Sequence, residues 1–166
     1  MGAVRVLVVA DTHIPDHAKV LPDVILREAR RVDLIVHAGD ATRAAVLETL
    51  ASLAPAQAVI GNNDHSDVAG WGARETLELD IGGTAVGVIH DAGPAQGRAR
   101  RMRRRFPNAS VVVFGHSHIP MDLKVEGESL RLVNPGSPTW KRRQPDPTYA
   151  IVEYGRRIDV DIRSMR

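Results

Sequence analysis

Polar and apolar positions fall into two regimes along this chain. In the first, short apolar runs alternate with amphipathic stretches. Val4 to Ala10 is a β-branched apolar run that stops at "DTH", the pattern of a strand buried on both faces. Pro22 to Arg31 then predicts a helix with its proline in the first turn. "DLIVHAGD" predicts a second strand and loop, and Arg43 to Leu53 a second helix with Ala44, Val46, Leu47 and Leu50 on its apolar face. "AQAVIGNND" supplies a third strand running into a turn-rich loop. This alternation predicts a parallel sheet.

The second regime begins near Glu75. "ETLELDI" and "TAVGVIH", joined by Gly82 and Gly83, predict a hairpin with a two-residue turn. A helix is expected over Pro94 to Phe106 and a buried strand over Ser110 to Phe114. "MDLKVEG", "ESLRLVN", "TYAIVEYG" and "RIDVDIRS" alternate apolar and polar residues, as half-buried antiparallel strands do. The expected fold class is therefore α/β, with two packed sheets flanked by helices. At 166 residues, 43% of them hydrophobic, and with no linker-like stretch, the chain is expected to form one domain over 1–166.

Composition narrows the function. Aromatics are only 4%, so Val, Leu, Ile and Ala must fill the core. The absence of cysteine excludes disulfides, zinc–thiolate sites and thiol nucleophiles. Val4 to Ala10 is too short to span a bilayer and no cationic region precedes it, which predicts no membrane association and a cytoplasmic location. The net charge is +2, but "RARRMRRR", Arg98 to Arg105, holds six arginines in eight positions. Such a run either solvates a helix face or contacts phosphates of a nucleic acid or an acidic partner. With no interleaved aromatic platform, the solvated face is the favoured reading.

The candidate chemistry sits just past the strand ends. There lie Asp11 and His13 in "ADTH", Asp40 in "HAGD", Asn62 in "IGNND", His90 in "VIHD", and His116 and His118 in "FGHSH". Singly, an Asp after a strand is a turn residue or a cap. Together they occupy five segments with one layout, and the carboxyl ends of strands in an α/β sheet share one edge. Oxygen and imidazole donors without thiolate suit Mn, Fe, Ni, Zn or Co. Seven donors are too many for one tetrahedral ion and suit two if a carboxylate bridges them. Two ions ~3.5–4 Å apart are the recurring device for in-line displacement at phosphorus.

In this order, "DTH", "GD", "GNND", "H" and "GHSH" resemble the calcineurin-like metallophosphoesterases. The short length and the "NPGSP" to "YAIVEY" tail resemble the small YfcE-type phosphodiesterase branch, which includes the retromer-subunit relatives. The resemblance covers essentially the whole chain. It implies a four-layer αββα sandwich, with Asp11, His13 and His118 on a first metal, Asn62, His90 and His116 on a second, and Asp40 bridging. It further implies that a hydroxide between the ions attacks a phosphodiester, so that Asp40, Asn62 and His90 act in catalysis through that hydroxide. Two divalent transition-metal ions are the expected cofactors, manganese first, with Ni, Zn, Fe or Co as alternatives.

Two positions depart from the family pattern. Asn63 stands where many members have a leaving-group histidine, and asparagine delivers no proton at neutral pH; His17 and His65 are loop histidines that could substitute or simply lie at the surface. Asp91 follows His90 where glycine is common, and is either a partner for an imidazole or a turn residue. Asp64 is a candidate for orienting a metal ligand, while Ser137 of "NPGSP" and Arg142 and Arg143 of "KRR" are candidates for contacting substrate. The expected activity is that of a dinuclear metal-dependent phosphodiesterase acting on a small phosphodiester. The alternatives are a non-catalytic metal-binding interaction scaffold on the same fold, and a nuclease using Arg98 to Arg105; nucleic acid is not the favoured partner. The family also makes a homo-oligomer an expectation.

Overall fold

In a computed structural model, which describes residues 2–166, the chain order is β1 (Val4–Val9), α1 (Asp23–Ala29), β2 (Leu34–His37), α2 (Ala44–Ala51), β3 (Ala56–Ala58), α3 (Ser66–Trp71), β4 (Thr76–Ile81), β5 (Thr84–Ile89), α4 (Arg98–Arg105), β6 (Val111–Val113), β7 (Met121–Lys124), β8 (Arg131–Asn134), β9 (Thr148–Tyr154) and β10 (Ile158–Ser164). Two five-stranded mixed sheets result, ordered β10-β9-β1-β2-β3 and β4-β5-β6-β8-β7. β1, β2 and β3 are parallel in the first, and β5, β6 and β8 in the second. No helix among the described residues is long and apolar enough to cross a membrane.

The two-residue period of β1 sorts its side chains between two cores. Val6 and Val8 point between the sheets, where they meet Val36, Val86, Val88, Val111, Val113, Val133 and Val152. Leu7 and Val9 point the other way, against Ile25 of α1, Val46, Leu47 and Leu50 of α2, and Val68 of α3. On the outer face of the second sheet, Met102 of α4 and Phe106 pack on Val112, Phe114 and Leu132. The layers are thus helices, sheet, sheet, helix, as expected from the sequence. The β-branched content supplies the intersheet layer almost without aromatics.

Several elements differ from the sequence expectation. α3 lies within the stretch expected to be a turn-rich loop; Val68 packs inward as its anchor and Gly72 (φ +123) ends it. The last four strands are not uniformly half-buried and antiparallel. β8 runs parallel to β6, and Leu132 and Val133 of β8 are buried on opposite faces because helix and sheet cover both sides. β9 is covered on both faces as well, Tyr149 and Ile151 against the helices and Ala150 and Val152 between the sheets. Only β10 approaches the predicted half-exposed alternation, whereas β7 is exposed from Asp122 to Lys124, Leu123 included.

α4 begins at Arg98 rather than Pro94, after Gly97 in a left-handed conformation (φ +71). The arginine run does more than solvate a face. Arg98 donates to the Gly93 carbonyl, Arg101 to those of Ala92, Pro94 and Gln96, and Arg103 to those of Pro107 and Ala109. These charge-assisted bonds fasten the irregular segments on either side of the helix.

Phe106 lies directly over Gly87 of β5, where an added Cβ would come within 2.6 Å of the ring. Its burial is nearly complete, so Phe106→Ala is expected to cost about 3–5 kcal/mol in urea denaturation. A loss below 1 kcal/mol would show that the α4 layer contributes little.

Candidate metal centre

Five parallel strands deliver the candidate ligands to one edge. β1 ends before Asp11 and His13, β2 before Asp40, β3 before Asn62, β5 before His90, and β6 before His116 and His118. The loops are stitched by backbone bonds: the Asp11 N–H donates to the Gly39 carbonyl, the His13 N–H to the Asp40 carbonyl, and the Gly115 N–H to the His90 carbonyl. The edges of both sheets therefore meet at one point.

Backbone strain concentrates there. Asp11, His13, Asp40, His116 and His118, five of the seven candidate ligands, have φ between +43° and +70°. Such conformations cost of order 1 kcal/mol or more each for residues other than glycine. They turn each side chain back toward the sheet edge. Glycines then admit the close approach: a Cβ at Gly39 would come within 2.4 Å of the His90 ring, and one at Gly61 within 2.1 Å of the Asp40 carboxylate.

At one position Asp11 Oδ1 lies 3.8 Å from His13 Nε2 and 3.5 Å from His118 Nε2. All three residues are buried, and none of these three atoms has a hydrogen-bond partner. Orphaned buried polar atoms are expensive. Three of them facing one another are what a cation would satisfy. Asp40 Oδ2 lies 3.5 Å from His13 Nε2 and 3.3 Å from His90 Nε2, between the two positions. At the second, Asn62 Oδ1 is 3.0 Å from both His90 Nε2 and His116 Nδ1. Donors held at ~2.0–2.2 Å from one ion stand roughly 3–3.5 Å apart, so both clusters have suitable spacing. The residues fit divalent ions at both positions.

A model of the calcineurin-like phosphoesterase superfamily domain matches residues 4–157. A protein described as a "Probable metallophosphoesterase" from Methanothermobacter thermautotrophicus is 35% identical over 158 residues, covering 93% of this chain and 89% of that protein. The chain belongs to the calcineurin-like phosphoesterase superfamily. Among solved structures, vacuolar protein sorting 29 from Cryptosporidium parvum superposes with a TM-score of 0.85 at 20% identity, over 100% of this chain and 93% of that one. A novel archaeal phosphodiesterase superposes with a TM-score of 0.75 at 18% identity, covering 97% of this chain and 99% of that one. These two likenesses show the fold.

In this phosphoesterase domain the neighbouring polar residues brace the ligands. Asp64 accepts the N–H groups of Asp40, Gly61 and Thr42, so its influence on Asp40 runs through the backbone. Burial raises the Asp64 carboxyl above its ordinary range, with those donors opposing. Asn63 donates both its backbone N–H and its amide to the Asp40 carboxylate, each at 2.8 Å. Ser137, expected to contact substrate, is instead buried: its hydroxyl donates to the Asp11 carbonyl and accepts the N–H of Trp140. The "NPGSP" loop thus lies near the centre as a clamp. Arg142 is exposed, 4.7 Å over the Trp140 ring, and donates to the His116 carbonyl; Arg143 is also exposed. His17 is exposed and stacks on Trp140 at 3.5 Å, whereas His65 precedes α3.

Two bracing residues escaped the sequence reading. Trp140 stands edge-on to His13 and His118, and its carbonyl accepts from His118 Nδ1 at 2.6 Å, which leaves Nε2 facing Asp11 Oδ1. A tryptophan three residues after the "NPGSP" serine was the available clue. His37 is buried; the Gly39 N–H donates to its Nδ1 and Nε2 pairs with the Thr12 hydroxyl, between Asp11 and His13.

Electrostatics of the centre favour a cation. Burial opposes ionisation of Asp40, but His90 and the donors of Asn63 outweigh it and hold the carboxyl well below the usual range. Burial likewise opposes charge on His90, yet Asp40 and Asp11 push it up to about 9, so without metal His90 carries a proton. Burial lowers His118, and lowers His37 to about 4.

His37 gives a pH test in the metal-free protein. An unfolded histidine titrates near 6.5, so between pH 6.5 and 4 the unfolded chain binds more protons than the native one. The stabilisation from neutral His37 is therefore complete above pH 6.5 and is lost as pH falls to 4, by roughly 3 kcal/mol. His37→Gln is expected to be less pH-dependent than wild type by about that amount in urea denaturation at pH 7 and pH 4. Equal slopes for the two proteins would refute the assignment.

Proposed function

We propose that this chain is a dinuclear metal-dependent phosphodiesterase acting on small phosphodiesters, with manganese as the first choice of metal and Ni, Zn, Fe or Co as alternatives. The observation that carries the reading is the trio of buried, partnerless atoms Asp11 Oδ1, His13 Nε2 and His118 Nε2. These three would hold one ion and Asn62, His90 and His116 the other, with Asp40 shared between them. When bound, two such ions polarise the phosphoryl oxygens and make a water nucleophilic at neutral pH. The protein's own part is to hold the donors on strained loops and to keep Asp40 ionised through the two hydrogen bonds from Asn63.

An interaction scaffold would have no use for seven competent donors or for the bracing of His118 by Trp140. A nuclease would present its arginines to phosphate, whereas Arg98, Arg101 and Arg103 are largely committed to backbone carbonyls. The exposed Arg142 guanidinium beside His116 is suited to a substrate phosphoryl oxygen. Arg143, next in the chain and exposed, could add a second cation there.

The deciding experiment is hydrolysis of an aryl phosphodiester by metal-stripped protein with Mn, Ni, Zn, Fe or Mg restored. Activity should return with a transition metal and fall by about two orders of magnitude or more in Asp40→Ala. Tight metal binding without turnover on any ester would favour the scaffold. Because Asn63 cannot protonate a leaving group, aryl diesters should be cleaved much faster than alkyl ones. Asn63→His should raise turnover on an alkyl diester by ~10-fold or more; unchanged turnover would refute that role. Arg142→Glu should raise KM severalfold, and an unaltered KM would remove it from the substrate site.

A further inference from the structure

The two nitrogens of a ligating imidazole are not equivalent: the hydrogen bond made by one decides which tautomer the ring adopts and therefore which nitrogen faces the metal. At this centre the histidines solve the problem in two ways. His90 Nδ1 lies 2.8 Å from the Ala38 carbonyl and His118 Nδ1 2.6 Å from that of Trp140. A carbonyl only accepts, so both rings carry hydrogen on Nδ1 and present Nε2. His116 is turned the other way. Its Nδ1 faces Asn62 Oδ1, where His90 Nε2 also converges, and its Nε2 faces Asp91 Oδ2 at 3.8 Å.

His116 is also the loosest of the proposed ligand histidines, with its side chain 42% exposed, and among the described residues no backbone carbonyl takes its outer nitrogen. Asp91 is well placed to supply the missing acceptor. Its Oδ1 accepts the Gly93 N–H at 2.8 Å, which anchors the carboxylate and leaves Oδ2 toward the ring. Asp91, His116, Asn62 and His90 line the same cavity of about 550 Å³. The family resemblance leads one to expect glycine at this position, which could do none of this.

We infer that Asp91 is a positioning residue for the second metal: its carboxylate takes the Nε2–H of His116 and so aims the Nδ1 lone pair at the point shared by Asn62 Oδ1 and His90 Nε2. The inference rests on the dinuclear reading above. A carboxylate behind an imidazole also makes it a stronger donor, and removing such partners weakens metal affinity by ~10–100-fold.

The test is a Mn(II) titration of metal-free wild type, Asp91→Ala and Asp91→Asn, with free Mn(II) read by electron paramagnetic resonance and the His116 Nε2–H read by ¹⁵N NMR of the diamagnetic Zn(II)-loaded protein. In Asp91→Asn the amide oxygen can keep the turn to Gly93, but the amide nitrogen, a donor, cannot take the Nε2–H. Both variants are therefore expected to bind the first equivalent as wild type does and the second ~10–100-fold more weakly, with the His116 Nε2 resonance shifted from its wild-type position. Unchanged second-equivalent affinity in both variants overturns the inference. So does a loss in Asp91→Ala alone, which would assign the effect to the turn. Wild type binding only one equivalent overturns the dinuclear reading itself, an outcome separable from either of these because it appears before any substitution is made.

Discussion

Asp11 is a carboxylate with no exposure to water, and much of the centre is arranged around it. Burying an ionised carboxylate is costly unless charge and hydrogen bonds replace the lost water. Here Oδ2 accepts the His116 N–H, while Oδ1 faces the Nε2 atoms of His13, His90 and His118 without a hydrogen bond. Its main chain is equally committed, the N–H to Gly39 and the carbonyl to Ser137 and Thr139. One residue thus ties together the loops after β1, β2, β6 and β8. The balance it leaves is negative, and a cation completes it.

The division of labour between strands and loops follows from that demand. Strands covered by valines between the sheets and by helices outside hold the sheet edges in fixed register, so the loops beyond them can adopt left-handed conformations that an unsupported chain would abandon. A second set of loops then locks the result. Asp64 fixes the Asp40 loop through the backbone N–H groups of Asp40 and Thr42, and the 137–142 segment fixes Asp11, His118 and His116 through Ser137, the Trp140 carbonyl and Arg142.

The mouth of the centre is electrically uneven. Glu75 and Asp91 line the cavity beside Asn62, His90 and His116, with Ile60 and Ile89 completing its wall. Arg142 stands over Trp140 beside the "GHSH" loop. Acidic and cationic side chains thus stand on opposite sides of the candidate centre.

The sequence by itself determined the layers, the placing of the ligands past strand ends, and their chemical type. Those depend on local quantities: the period of Val6, Leu7, Val8 and Val9, the run lengths, and the donor atoms of Asp, Asn and His. Three groups of features were decided only by the tertiary structure. β8 and β9 alternate in sequence, yet both faces are covered, because burial depends on which neighbours arrive. Ser137 and Arg98, Arg101 and Arg103 of α4 carry groups fit for phosphate, but nearby carbonyls claim them first. Trp140, His37 and Asp91 acquire their roles through contacts 22, 25 and 25 residues away along the chain with His118, Thr12 and His116. No periodicity or spacing reports such contacts, since they exist only once the strand ends have been brought together.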